Sequence, residues 1–173
     1  MKRSWPARLG RLMKHRLWDE ADARRALPDA ALDRLQVRVA ESEKAHSGEI
    51  RLCIEASLPL SYLWRDAAAR ERAITVFSKL RVWDTEANNG VLIYLLLAEH
   101  AIELVVDRGL SQRVDETHWR AIVDALGARL RAGQFEQGLV QAIDAVDALL
   151  RAHFPHIEGA QNPNELPDRP QRL

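Results

Sequence analysis

The run Val91-Leu92-Ile93-Tyr94-Leu95-Leu96-Leu97-Ala98 limits what this chain can become more than any other stretch. It is too short for a membrane span, which needs about 20 apolar residues. It is also too continuous for a surface helix, whose polar face must recur every turn. A strand buried on both faces fits it, and such a strand needs helices on either side of its sheet. After Glu99-His100 the pattern resumes as Ile102, Leu104 and Val106 alternating with Glu103, Val105 and Asp107. That alternation reads as a second strand with a more exposed face, returning antiparallel to the first. Glu99-His100 is then the tight connection, although neither residue favours the positive φ of a two-residue turn.

The flanking segments supply the helices. Pro28-Asp29 opens one, with Leu32, Leu35, Val39 and Ala40 on its apolar face and Gly48 as its candidate C-cap. Glu49–Ser57 alternates Ile50, Leu52 and Ile54 with Glu49, Arg51, Cys53 and Glu55, a half-polar strand. Ser61–Leu80 reads as one helix with Leu63, Ala67, Ala73, Ile74, Phe77 and Leu80 inward, and Arg65, Asp66, Arg70, Glu71 and Arg72 in water. Beyond Gly109, Asp115 caps a helix that ends at Arg131-Ala132-Gly133, and residues 135–153 form the last one. Strand, crossover helix and buried strand make a βαβ unit to which the hairpin adds an antiparallel neighbour. The fold class is α/β: a three-layer α/β/α sandwich around a small mixed sheet that includes a β-hairpin.

With 173 residues, the chain suits one domain. It divides into a basic lead-in at 1–28, a domain at 29–154 and a disordered tail at 155–173, rich in Pro, Gly, Asn and Gln. Residues 1–25 carry eight Lys and Arg against three acidic residues, although the whole chain has a formal net charge of zero. The lead-in reads as a solvated, partly ordered arm able to touch anionic lipid or an acidic partner. The neutral total gives no electrostatic footprint for nucleic acid. No transmembrane run and no apolar signal-peptide core occur, so a cytoplasmic protein is expected. The lone Cys53 excludes an internal disulfide and suits a small buried hydrophobe. His46 and His118 read as surface or cap residues, and Trp64, Trp83 and Trp119 as core or rim packing.

Several pieces of the chain are familiar in their order: Gly48-Glu49-Ile50, Phe77-Ser78-Lys79-Leu80, Asn88-Asn89-Gly90-Val91-Leu92-Ile93, Ile102-Glu103-Leu104-Val105, Gly109-Leu110 and Arg131-Ala132-Gly133-Gln134-Phe135-Glu136-Gln137-Gly138. Together they resemble the TPM domain family, the domain of the thylakoid acid phosphatase-like lumen protein, over roughly residues 35–150. The resemblance implies an α/β/α sandwich, with phosphatase activity and calcium binding in some relatives. Two departures stand out. Asn88 replaces the Asp of the family's usual Asp-Asn-Gly, and Asp107-Arg108-Gly109 replaces its Gly-Tyr-Gly.

The chemistry-bearing residues gather at the ends of the hairpin. Asp84, Glu86, Asn88 and Asn89 precede the buried strand and offer hard oxygen ligands of the type that Ca²⁺ takes. An antiparallel return brings Asp107 beside Gly90, so Asp84, Glu86 and Asp107 form a candidate metal set. Arg108 disfavours a cation there and favours an anion such as carboxylate or phosphate. The same residues also suit a structural loop: turn caps, left-handed asparagines and an Arg108 pair with Asp84 or Asp107. No phosphate loop, Cys-x5-Arg or two-metal histidine cluster accompanies them. The expectation is a binding or accessory module that needs no cofactor and meets a membrane-associated protein partner through its basic lead-in. The alternative is a metal-dependent, phosphatase-like hydrolase built on Asp84, Asp107 and Arg108.

Overall fold

The computed structural model describes residues 4–156 and 164–173. Two short helices, α1 (Trp5–Arg16) and α2 (Glu20–Ala26), precede α3 (Asp29–Glu43) and the strand β1 (Ile50–Glu55). Then come α4 (Leu60–Trp64), α5 (Ala69–Lys79), β2 (Val91–Leu96), a 3-10 turn (Leu97–Glu99) and β3 (Ala101–Val106). The chain continues through α6 (Arg108–Ser111), α7 (Glu116–Arg131), α8 (Phe135–His153) and a two-residue strand β4 (Gln171–Arg172).

The sheet order is β3-β2-β1-β4, with β1 parallel to β2 and β2 antiparallel to β3. Every residue of β2 is buried, because side chains that alternate across a central strand meet helices on both faces. Leu52, Ile93 and Leu104 belong to the core under α3, α7 and α8, while Cys53, Leu92, Tyr94 and Val105 pack under α5. The result is an α/β/α arrangement with three layers. Edge strand β3 is only half-buried over Ala101–Glu103, a run of three at one end of the strand rather than one alternating face.

Several expectations need correction. The helix expected over Ser61–Leu80 is two helices, broken where Asp66 adopts φ 60° and Ala67 N–H turns back to the Tyr62 carbonyl. Helix α3 ends at Glu43 rather than at Gly48. Gly48 is needed for space, since a Cβ there would lie 2.4 Å from Leu150 Cδ2. The hairpin is not a two-residue turn: Leu97–Glu99 makes a 3-10 turn and His100 takes φ 51°. The half-polar strand has no wet face, because Glu49, Arg51 and Glu55 are all buried.

The ends of the chain also differ from expectation. Residues 4–28 are not a loose arm, for Arg11, His15, Ala23 and Leu27 are buried against the domain. The far tail is not free either over 164–173, whereas 157–163 lie outside the described residues. Glu49 accepts from the N–H groups of Glu165 and Leu166, and β4 adds to β1 in parallel. The physical reason is β1 itself. Without this cover β1 would be an open edge, its outer backbone groups unpaired within the sheet and the Glu49 carboxylate without its two N–H donors.

Candidate functional site

The corner singled out by its polar residues lies where β2 begins and β3 ends. It is held together by backbone: Asp107 N–H donates to Gly90 O at 2.9 Å, and Gly109 N–H to Asn88 O at 2.8 Å. Asn88 adopts φ 52°, a conformation that asparagine tolerates because its side chain can bond locally. Gly90 and Gly109 allow the close approach, and alanine at either would collide with carbonyl oxygens of the loop. Asn89 is fully buried; its backbone N–H donates to Thr85 Oγ1 and its Nδ2 donates to Ser47 Oγ.

The individual side chains then diverge. Asp84 is exposed and, among the described residues, reaches only Arg81, 3.9 Å away. Glu86 is exposed, and its N–H donates to the Glu165 carboxylate. Asp107 caps α6 through Oδ1, which accepts from Arg108 N–H at 2.6 Å. Arg108 is exposed and pairs with neither Asp84 nor Asp107. Among the described residues no group of three or more His, Cys, Asp or Glu is placed to hold a metal ion. Asp84, Glu86 and Asp107 are therefore not one ligand set, because the first two turn to solvent while the third caps a helix. Two buried oxygens at the corner, Asn89 Oδ1 and Asp107 Oδ2, have no hydrogen-bond partner among the described residues. They are what the corner could offer a ligand.

Three buried polar clusters escaped the sequence reading. Glu55 on β1 receives Arg72 at 2.7 and 2.9 Å and the Tyr94 hydroxyl at 2.6 Å. Arg72 is thus buried rather than in water, and burial beside the Glu55 charge pushes the Tyr94 hydroxyl up from its ordinary value. A tyrosine within a buried strand was the available signal, since its hydroxyl must find a partner. Nearby Cys53 is pushed up to about 12 by burial, so it is a packing residue without thiolate character.

The second cluster joins α3 to α8. Ser42 Oγ donates to Asp147 Oδ1 at 2.7 Å, His46 Nε2 lies 3.0 Å from Ser42 Oγ, and Arg151 grips the other Asp147 oxygen. His46 is a core residue, not a surface cap. The residue types match a nucleophilic triad but the arrangement does not. Ser42 Oγ donates its hydrogen bond to the carboxylate rather than to histidine, His46 Nδ1 accepts from Gly48 N–H, and Ser42 and His46 are completely buried.

The third cluster fastens α1. Arg11 donates to Glu99, to Asp66 and to the Ala67 carbonyl. His15 accepts Leu58 N–H at Nδ1 and sits 2.9 Å from Glu99 through Nε2. Burial alone would raise Glu99, but hydrogen bonds from His15 and Arg11 outweigh it and hold the carboxyl at about 2. With its ionic face inward, α1 turns Trp5, Leu9 and Met13 outward beside the exposed Trp64 of α4. Trp64 and Trp83 are therefore surface residues and only Trp119 is half-buried.

The TPM domain family model matches residues 21–149, most of the chain. The chain belongs to the TPM domain family. Among solved structures it is similar to the BA42 protein of the psychrophilic bacterium Bizionia argentinensis, determined by NMR. That likeness has a TM-score of 0.74 at 26% identity and covers 85% of this chain and 95% of that one. No curated protein matches. The TPM match takes in β1, β2 and β3 with the hairpin corner, whereas α1 lies before it. No helix among the described residues is long and apolar enough to cross a membrane.

Proposed function

We propose that this TPM domain protein is a cytoplasmic accessory module without an enzymatic activity of its own, which attaches to a membrane-located partner through the outer faces of α1 and α4. One observation carries this reading. Five large apolar side chains, Trp5, Leu9, Met13, Leu60 and Trp64, are exposed on these neighbouring helices, which touch each other, and exposed Leu17 follows directly after α1. Contiguous apolar surface of that kind marks an interaction site, whereas scattered single residues do not. Co-sedimentation of the full chain with membranes from its own source tests it. Binding that is lost with Leu9→Gln and Trp64→Gln, both on the surface and away from the ion cluster, supports the face. Binding left unchanged by both removes it.

A phosphatase-like hydrolase, with a divalent cation such as Ca²⁺, is the second reading. It draws on the Asn89 and Asp107 oxygens that have no partner among the described residues, with Arg108 exposed in the same loop. The accessory reading expects no turnover of a chromogenic phosphate ester and no thermal shift with millimolar calcium. Turnover that Asp107→Asn abolishes in a folded protein would replace it with the enzymatic reading.

A further inference from the structure

Helix α1 is docked the opposite way round from an ordinary amphipathic helix. Its buried residues are Arg11 and His15, while Trp5 and Met13 are exposed at 73% and 59%. Trp5, Leu9 and Met13 follow each other at four-residue spacing and so share one face of the helix. Packing against the domain does not use that face, because specific ionic partners on the 3-10 turn and around α4 hold the other one. Helix α4 extends the apolar surface with Leu60 and Trp64, also four apart and exposed at 75% and 79%. Between the two helices lies a cleft of about 420 Å³, walled by Trp5, Leu9, Leu12, Leu63 and Trp64.

The charge carried by α1 has one sign. Helix α1 contains no acidic residue, and its last turn carries Lys14, His15 and Arg16. Lys14 and Arg16 are exposed without an ionic partner among the described residues. The carboxylates that α1 contacts, Glu99 and Asp66, are turned inward and engaged by Arg11. Tryptophan and leucine on one side with lysine and arginine at the border is the pattern of a helix lying in the plane of a membrane interface. A protein partner would need no helix whose only charges are basic, whereas lipid phosphates supply the complement of such a helix.

We propose that α1 and α4 form an anionic-lipid anchor: Trp5, Leu9, Met13, Leu60 and Trp64 enter the interfacial zone of the bilayer, and Lys14 and Arg16 meet the phosphates. This rests on the docking face proposed above and names the membrane lipid itself as its target. The buried ions make the anchor rigid with the domain, so binding fixes the domain's orientation on the surface. Anchor strength combines apolar burial with about 1 kcal/mol per cation near an anionic surface. It therefore falls with salt and disappears on neutral lipid.

The test is flotation of the full chain with protein-free vesicles of phosphatidylcholine, with and without phosphatidylglycerol, at low and high salt. Tryptophan emission is followed in parallel. Binding should require phosphatidylglycerol and weaken at high salt, with a blue shift of the emission. Lys14→Glu with Arg16→Glu should lower binding by roughly ten-fold or more. Leu9→Gln with Met13→Gln should remove the blue shift while the far-ultraviolet circular dichroism stays unchanged. Binding to native membranes but to neither vesicle overturns the lipid target and leaves the docking face standing. Absence of both kinds of binding overturns both proposals. A rise in molecular mass with concentration that the Leu9 and Met13 changes suppress, without vesicle binding, assigns the surface to a second copy of the chain instead.

Discussion

His15 Nε2 on α1 stands 2.9 Å from Glu99 Oε1 in the turn between β2 and β3, and this contact joins the N-terminal helix to the family's hairpin. Arg11 donates to the same oxygen, so one carboxylate holds both inward-facing residues of the helix.

Acid should release α1 before it unfolds the domain. The carboxyl of Glu99 is held at about 2 against an ordinary 4.5. A depressed carboxylate contributes stability that is present above 4.5 and lost as pH falls towards 2. Hydrogen exchange at pH 3 should show lowered protection in α1 with β1 and β2 still protected. Glu99→Gln should produce the same pattern at neutral pH. Equal protection of α1 in wild type and variant would show that the ion cluster does not hold the helix.

Arg72 and Glu55 should be destabilising to remove singly and cheaper to remove together. Arg72→Met leaves a buried carboxylate with only the Tyr94 hydroxyl, a loss of roughly 3–5 kcal/mol. Replacing both residues by apolar ones of similar volume removes the uncompensated charge, and stability recovers. Urea unfolding of Arg72→Met, Glu55→Leu and the double variant checks this. A double variant as unstable as the sum of the singles contradicts it.

How legible these features were in the sequence depends on distance along the chain. The double burial of β2 follows from its own composition, and the hairpin follows from two adjacent patterns. Asp115 as a cap and Gly133 at φ 74° were readable because a cap is set by its immediate neighbours. The polar residues of β1 were not, since Glu49 meets residue 165, Arg51 meets residue 169 and Glu55 meets residue 72. Alternation can show a polar side but not whether distant chain later covers it. The same reason hid the docking of α1, whose inward face is ionic, so its apolar periodicity points away from the core. At the candidate corner the sequence placed Asp107 beside Gly90, while the outward turn of Asp84 and Glu86 depends on loop geometry that no spacing encodes.

Alkali should weaken the fold through Glu43. Burial, aided by the charges of Glu49 and Asp168, raises its carboxyl to about 9 against the N–H bond from Ile50. The folded chain then keeps a proton that the unfolded chain has released, so this contribution is complete below 4.5 and lost as pH rises through 9. The slope is about 1.4 kcal/mol per pH unit for one proton. Glu49, raised to about 7 chiefly by burial, adds the same sign over 4.5 to 7. Glu43→Gln keeps an acceptor for Ile50 N–H and should flatten the fall in melting temperature between pH 5 and 9. Parallel curves for the two proteins would exclude Glu43 as the source.

Gly90→Ala should disrupt the hairpin corner more than alanine at other glycines, for a reason of space. A Cβ on Gly90 would lie 1.9 Å from the Val82 carbonyl oxygen, which belongs to backbone and cannot rotate aside. Gly109 meets the Ala87 and Asn88 oxygens at 2.5 and 2.6 Å, so its alanine variant should act through the same loop. Overpacking of this kind costs roughly 1–3 kcal/mol. Gly10 is the control: it lies within exposed α1 with nothing near its Cβ, and alanine there should stabilise the helix by about 1 kcal/mol. Thermal unfolding of the three variants ranks them, and amide chemical shifts at Asn88 and Asn89 report whether the corner itself has moved. If Gly90→Ala melts with wild type and leaves those shifts in place, the tight packing of Val82 against the start of β2 is wrong, and with it the rigidity of the corner.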